Sequence, residues 1–140
     1  MKYVALAIAA LLTAGLPATA ADLRVRIVDL RSTEGEVHIA LYDSAARFPK
    51  PDGLKEDTVL KADGGGVTAV FRDLSPGVYA AATYHDENGN GQFDQGMLGL
   101  PLEGYAFSND VQPILAAPDF RSASVPLPEQ GTEIVIRMRY

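Results

Sequence analysis

Residues 78–94 read Val78-Tyr79-Ala80-Ala81-Ala82-Thr83-Tyr84-His85-Asp86-Glu87-Asn88-Gly89-Asn90-Gly91-Gln92-Phe93-Asp94. The run from Val78 to Tyr84 follows the turn Asp73-Leu74-Ser75-Pro76-Gly77 and carries the β-branched and aromatic residues of a strand. It passes without a break into a segment of different chemistry. Side-chain oxygens recur every second residue at Asp86, Asn88 and Asn90, Gly91 follows at once, and Asp94 comes three later. That spacing is the first three-quarters of a calcium loop: Gly91 allows the sharp bend, Gln92 lends its backbone carbonyl, and Asp94 binds directly or through water. The twelfth position is Met97, where the helix-flanked version of the loop has a bidentate Glu. The loop is therefore expected to join sheet segments and to borrow a carboxylate from elsewhere. Glu103 is the candidate, because Pro101 to Asn109 is irregular enough to return over the loop, and Asn109 and Asp110 are further candidates. The competing reading is a turn whose Asx side chains cap their own backbone.

Charge distribution favours the cation. The net charge is −6, and between Asp73 and Phe120 there is no Lys or Arg, while Asp73, Asp86, Glu87, Asp94, Glu103, Asp110 and Asp119 supply carboxylates. Carboxylates gathered without basic partners repel one another, and a divalent ion relieves that repulsion. A chain with this balance lacks the basic face that nucleic-acid binding requires.

The first twenty residues form a unit of their own. Lys2, an apolar run from Val4 to Leu16 and the small-x-small sequence Ala18-Thr19-Ala20 have the pattern of a secretory signal peptide. Residues 21–140 are then one domain, exported to the periplasm or secreted, with no apolar segment long enough to span a membrane. With no cysteine in the chain, its stability must come from packing and from any bound ion.

The rest of the domain alternates with the period of strands. Leu23, Val25 and Ile27 alternate with Arg24 and Arg26; Val37, Ile39 and Leu41 alternate with His38 and Ala40, and the two runs are expected to form a hairpin. His38 falls on the polar face as a surface residue. Residues 54–61 read as a charged edge strand, Val67 to Phe71 as the next, and the runs ending at Leu127 and Tyr140 as the last two. Phe48 is expected to plug one end of the domain, and Tyr79 to bond its hydroxyl back to the chain just upstream as a corner tyrosine. Between Gln95 and Phe120 the chain is irregular, yet Leu98, Leu100, Leu102, Tyr105, Phe107, Ile114, Leu115 and Phe120 predict that it folds back and packs near the ion loop. The expected architecture is all-β: a single seven-stranded antiparallel β-sandwich, immunoglobulin-like or transthyretin-like, with no helix.

Three motifs, Asp73-Leu74-Ser75-Pro76-Gly77-Val78-Tyr79, His85-Asp86-Glu87-Asn88-Gly89-Asn90-Gly91 and Pro101-Leu102-Glu103-Gly104-Tyr105-Ala106-Phe107-Ser108-Asn109, occur in the order and spacing of a known family. In them the chain resembles the bacterial domain-of-unknown-function family 2141, with Ala106 where that family usually has Gly. The resemblance implies an exported β-sandwich and no particular reaction.

The functional expectation is an exported binding or structural module whose acidic loop takes calcium through Asp86, Asn88, Asn90, Gln92, Asp94 and Glu103. Its partner would be a protein, peptide or glycan. The alternative is a small extracytoplasmic hydrolase using His85 and Glu103, with Asp86 and Ser108 nearby. The chain has no Gly-x-Ser-x-Gly turn, His-Glu-x-x-His pair or phosphate-cradling glycine loop.

Overall fold

A computed structural model describes residues 19–140, so the expected signal peptide, residues 1–20, lies almost entirely outside the described residues. Alternation sets β1 (Ala21–Val28), where Leu23, Val25 and Ile27 are fully buried and Arg24 and Arg26 exposed. The same rule sets β2 (Glu36–Tyr42) and β4 (Val67–Leu74), while the long β5 (Gly77–Asp86) is covered on both faces over Tyr79, Ala80 and Ala81. The remaining strands are β3 (Glu56–Lys61), β6 (Gly104–Phe107), β7 (Val125–Leu127) and β8 (Thr132–Arg137). They form two sheets, β4-β1-β8 and β3-β2-β5-β6, with β7 pairing the first residues of β5. Leu23, Val25, Ile27, Phe71 and Ile136 from one sheet meet Val37, Ile39, Leu41, Ala81 and Ala106 from the other in one core. Each fully buried Leu, Ile or Val there contributes roughly 1.5–3 kcal/mol.

Four expectations need correction. Among the described residues there are eight strands, because β6 forms inside the stretch read as irregular. The pairing is not purely antiparallel, since β1 and β8 run parallel. β1 and β2 do not make a hairpin: Asp29 (φ 62°) and Gly35 (φ 69°) turn the chain across to the opposite sheet. One short helix, α1 (Phe120–Ala123), is present, started by Asp119, whose carboxylate accepts from the Ser122 amide at 2.7 Å. β3 does lie at a sheet edge, as its charges indicated.

Tyr79 donates its hydroxyl to the Ser75 carbonyl at 2.7 Å, which fixes the Ser75-Pro76-Gly77 corner. Phe48 does not plug the end between the sheets: it packs edge-on against Tyr42, Phe107 and Phe120 in a small cluster on the outer face of the larger sheet, because Tyr42 and Phe107 alternate outward from the core residues Leu41 and Ala106. The irregular stretch packs only in part. Tyr105, Phe107 and Phe120 join that cluster, whereas Leu98, Leu100, Leu102, Ile114 and Leu115 are exposed. Ser108, fully buried, accepts from the Ala81 amide at 2.9 Å and donates to the Ala123 carbonyl, tying α1 to β5. Among the described residues no helix is long and apolar enough to cross a membrane.

Candidate metal centre

Asp86 is the last residue of β5 and is fully buried. Its Oδ1 accepts from the amides of Gly89 at 2.7 Å and Asn90 at 3.1 Å, and its Oδ2 from that of Gly91 at 2.7 Å. The chain closes around this carboxylate because Gly91 takes φ 74°, a left-handed conformation that glycine adopts without steric cost. Asn88 and Asn90 then turn inward. Asn88 Nδ2 donates to Asp94 Oδ2 at 2.7 Å, and Asn90 Nδ2 donates to both Asp94 oxygens at 2.9 and 3.0 Å. Their own oxygens accept from the amides two residues on, those of Asn90 and Gln92. Asn88, Asn90 and Asp94 therefore share a centre, with the amide N–H groups meeting Asp94 where a cation would otherwise carry the positive charge. Half a rotation of each amide would present oxygen in place of nitrogen.

Glu103 completes the arrangement. The Leu102 amide donates to the Asp94 carbonyl at 3.0 Å and the Gly96 amide to the Leu100 carbonyl at 2.7 Å, so residues 96–101 make a short excursion and the chain returns beside the loop. Met97, at the twelfth loop position, points away at 86% exposure. Glu103, only 6% exposed, accepts from the Asp94 amide through Oε2 at 3.0 Å, while Oε1 is buried with no hydrogen-bond partner. Burial raises its carboxyl above the ordinary carboxylate range, and the charges of Asp86 and Asp94 push the same way. The Asp94 amide opposes the shift, and the Glu87 amide helps it do so from nearby without a hydrogen bond of normal geometry to Oε1. Among the described residues no three His, Cys, Asp or Glu side chains stand close enough to hold an ion by themselves. A cation would accordingly depend on the asparagine oxygens and on backbone carbonyls, as hard oxygen-seeking ions do.

The neighbouring side chains have other duties. Glu87 leaves the loop to pair with Arg31, whose Nε donates to Oε2 at 2.9 Å and holds the carboxyl below its ordinary range. Asn109 donates to the Ser122 and Ser124 carbonyls, and Asp110 pairs with Arg137, so neither of these further candidates reaches the loop. Gln92 is exposed, its amide bonded to Asn90. His85 is fully buried: Nε2 donates to the Glu34 carbonyl at 2.7 Å, and Nδ1 accepts from the Tyr140 hydroxyl at 2.6 Å.

His38 is the residue whose place the sequence misjudged. It is half-buried rather than free on the surface, stacked on Tyr84 at 4.5 Å, with Nε2 unbonded and 3.6 Å from Asp86 Oδ2. Strand register puts it there, because His38 lies opposite Tyr84. Gly35 supports the loop from the other side: a Cβ at this position would lie 1.9 Å from the Asp86 carbonyl oxygen. Gly35→Ala is expected to cost about 3 kcal/mol or more, read from the urea midpoint, since the methyl group meets both a positive φ and a backbone wall.

An all-β domain with an oxygen-rich loop at the end of a central strand is the class that this fold and site define. The chain belongs to DUF2141, described as uncharacterized proteins conserved in bacteria, matching over residues 25–135, from β1 to β8. Neither a curated protein nor a solved structure matches it.

Proposed function

We propose that this protein is an exported β-sandwich module, immunoglobulin-like or transthyretin-like, which serves in binding or as a structural element. Its Asp86 to Asp94 loop is ordered by calcium held jointly with Glu103. The observation that carries the reading is the Glu103 carboxylate, buried against the loop with one oxygen on the Asp94 amide and the other unpartnered. A buried carboxylate oxygen without a partner is costly, and a divalent ion supplies what it lacks. The convergence of Asn88 and Asn90 on Asp94 adds three of the ligand side chains at one centre. Export rests on the pattern of residues 1–20, and millimolar calcium outside the cytoplasm suits a site with few charged ligands. The ordered loop would present a surface for a protein, peptide or glycan.

Calorimetric titration tests this. Calcium is expected to bind with a dissociation constant of roughly 10⁻⁴–10⁻³ M, and magnesium more weakly because it demands a tighter octahedron. At ten times that constant, calcium adds about 1.4 kcal/mol and raises the melting midpoint by roughly 5 °C over chelator. No heat and an unchanged midpoint would remove the ion. The hydrolase reading has less support. Both ring nitrogens of His85 are engaged within the interior, and Ser108 is bonded to backbone on both sides.

A further inference from the structure

Across the outer face of the larger sheet runs a slot of about 530 Å³, within the size range of small-molecule sites. Register explains its shape. Ala40 and Ala82 face each other on β2 and β5, with Asp57 opposite Ala40 on one side and Phe107 opposite Ala82 on the other. Two methyl groups thus form a trough crossing four strands, roughly 14 Å from the Asp57 backbone to that of Phe107. One wall is the row His38, Tyr84 and Tyr105, joined by Phe93 from the loop, whose ring centroid lies 5.5 Å from that of Tyr84 and 5.8 Å from that of Tyr105. Pro49, Pro51 and Leu54 form the other wall.

Charge and ring orientation restrict what fits. No Lys or Arg lines the slot, and Asp57, at its mouth, is the one Asp or Glu that does. Among the described residues Asp57 has no ion pair, its neighbour Lys55 being engaged with Asp43 at 3.3 Å. An anion would meet a carboxylate and no base. A sugar would need open ring faces on which to stack, but Tyr84 is covered by His38, and Phe93 is wedged between Tyr84 and Tyr105. We infer that the slot binds a small organic cation with an apolar body about 10 Å long, its ammonium at Asp57 and its hydrocarbon end over Ala82 against Phe107.

The test compares phenylbutylamine, phenylbutanol and phenylbutyrate by NMR shift titration of the intact protein. All titrations are run in chelator, so the result does not depend on whether the loop takes calcium. The amine should move the Ala40 and Ala82 signals, the alcohol should bind about fivefold more weakly, the worth of one partly screened ion pair, and the carboxylate should not bind. Asp57→Asn should reduce the amine to the affinity of the alcohol. Ala82→Phe, or Ala40→Leu should the first fail to fold, should abolish amine binding with the melting curve kept. The proposal is overturned if the carboxylate binds as well as the amine, if Asp57→Asn changes nothing, if neither trough variant weakens binding, or if the amine moves no signal at millimolar concentration. Preference for a neutral glycan at the same residues would also overturn it.

Discussion

Alanine in place of Asp86 is expected to destabilise the protein by about 3 kcal/mol with no calcium present, since three backbone amides lose their acceptor at once. Gly89, Asn90 and Gly91 all donate to this fully buried carboxylate, and the strand β5 ends on it. Each amide left unpaired costs about 1–3 kcal/mol, and the loop recovers part of that by swinging into water. Urea unfolding in chelator gives the number. Asp86→Asn separates the two duties of the side chain, because its carbonyl still accepts from two of the three amides while the charge is gone. It should keep most of the stability and lose the calcium-dependent rise in melting midpoint. An alanine variant as stable as the parent would mean that Asp86 does not organise this loop.

Glu103→Gln should act in the opposite direction. In chelator the variant is expected to be more stable than the parent by about 1 kcal/mol, because it removes a dehydrated charge lying near two others. The glutamine carbonyl still accepts from the Asp94 amide, which preserves the return of the chain after residues 96–101. The same change removes the carboxylate proposed to hold calcium and should weaken calcium binding at least about tenfold. A purely structural Glu103 would lose stability on substitution with calcium and without it. A gain in stability without calcium together with a much smaller calcium-dependent rise separates a ligand from a buried hydrogen-bond acceptor.

The parts of the fold that were legible in the sequence are those governed by a single strand's own alternation. Arg24 and Arg26 set the wet face of β1, the charges of β3 marked an edge, and Pro76-Gly77 before Tyr79 marked a corner that the hydroxyl closes. What the sequence did not carry was partnership. β6 has only Gly104, Tyr105, Ala106 and Phe107, too short for a period, and is a strand because β5 lies beside it. The parallel pairing of β8 with β1 joins segments more than a hundred residues apart, for which no local signal exists. At the site, the spacing pointed to the stretch in which Asn88 and Asn90 meet Asp94, and Glu103 does lie beside it, on the Asp94 amide. His38 could not be placed without knowing that it stacks on Tyr84 across the register. The apolar side chains from Leu98 to Leu115 misled because hydrophobicity alone does not say whether a loop turns inward or out.

A crystal grown with calcium measures the central claim most directly. The account predicts one ion with oxygen ligands at about 2.3–2.6 Å, drawn from Asp86, Asn88, Asn90, Asp94, the Gln92 carbonyl and Glu103, with both asparagine amides rotated to face it. Density showing the Asn88 and Asn90 nitrogens still on Asp94, and no ion between them and Glu103 at saturating calcium, would contradict it.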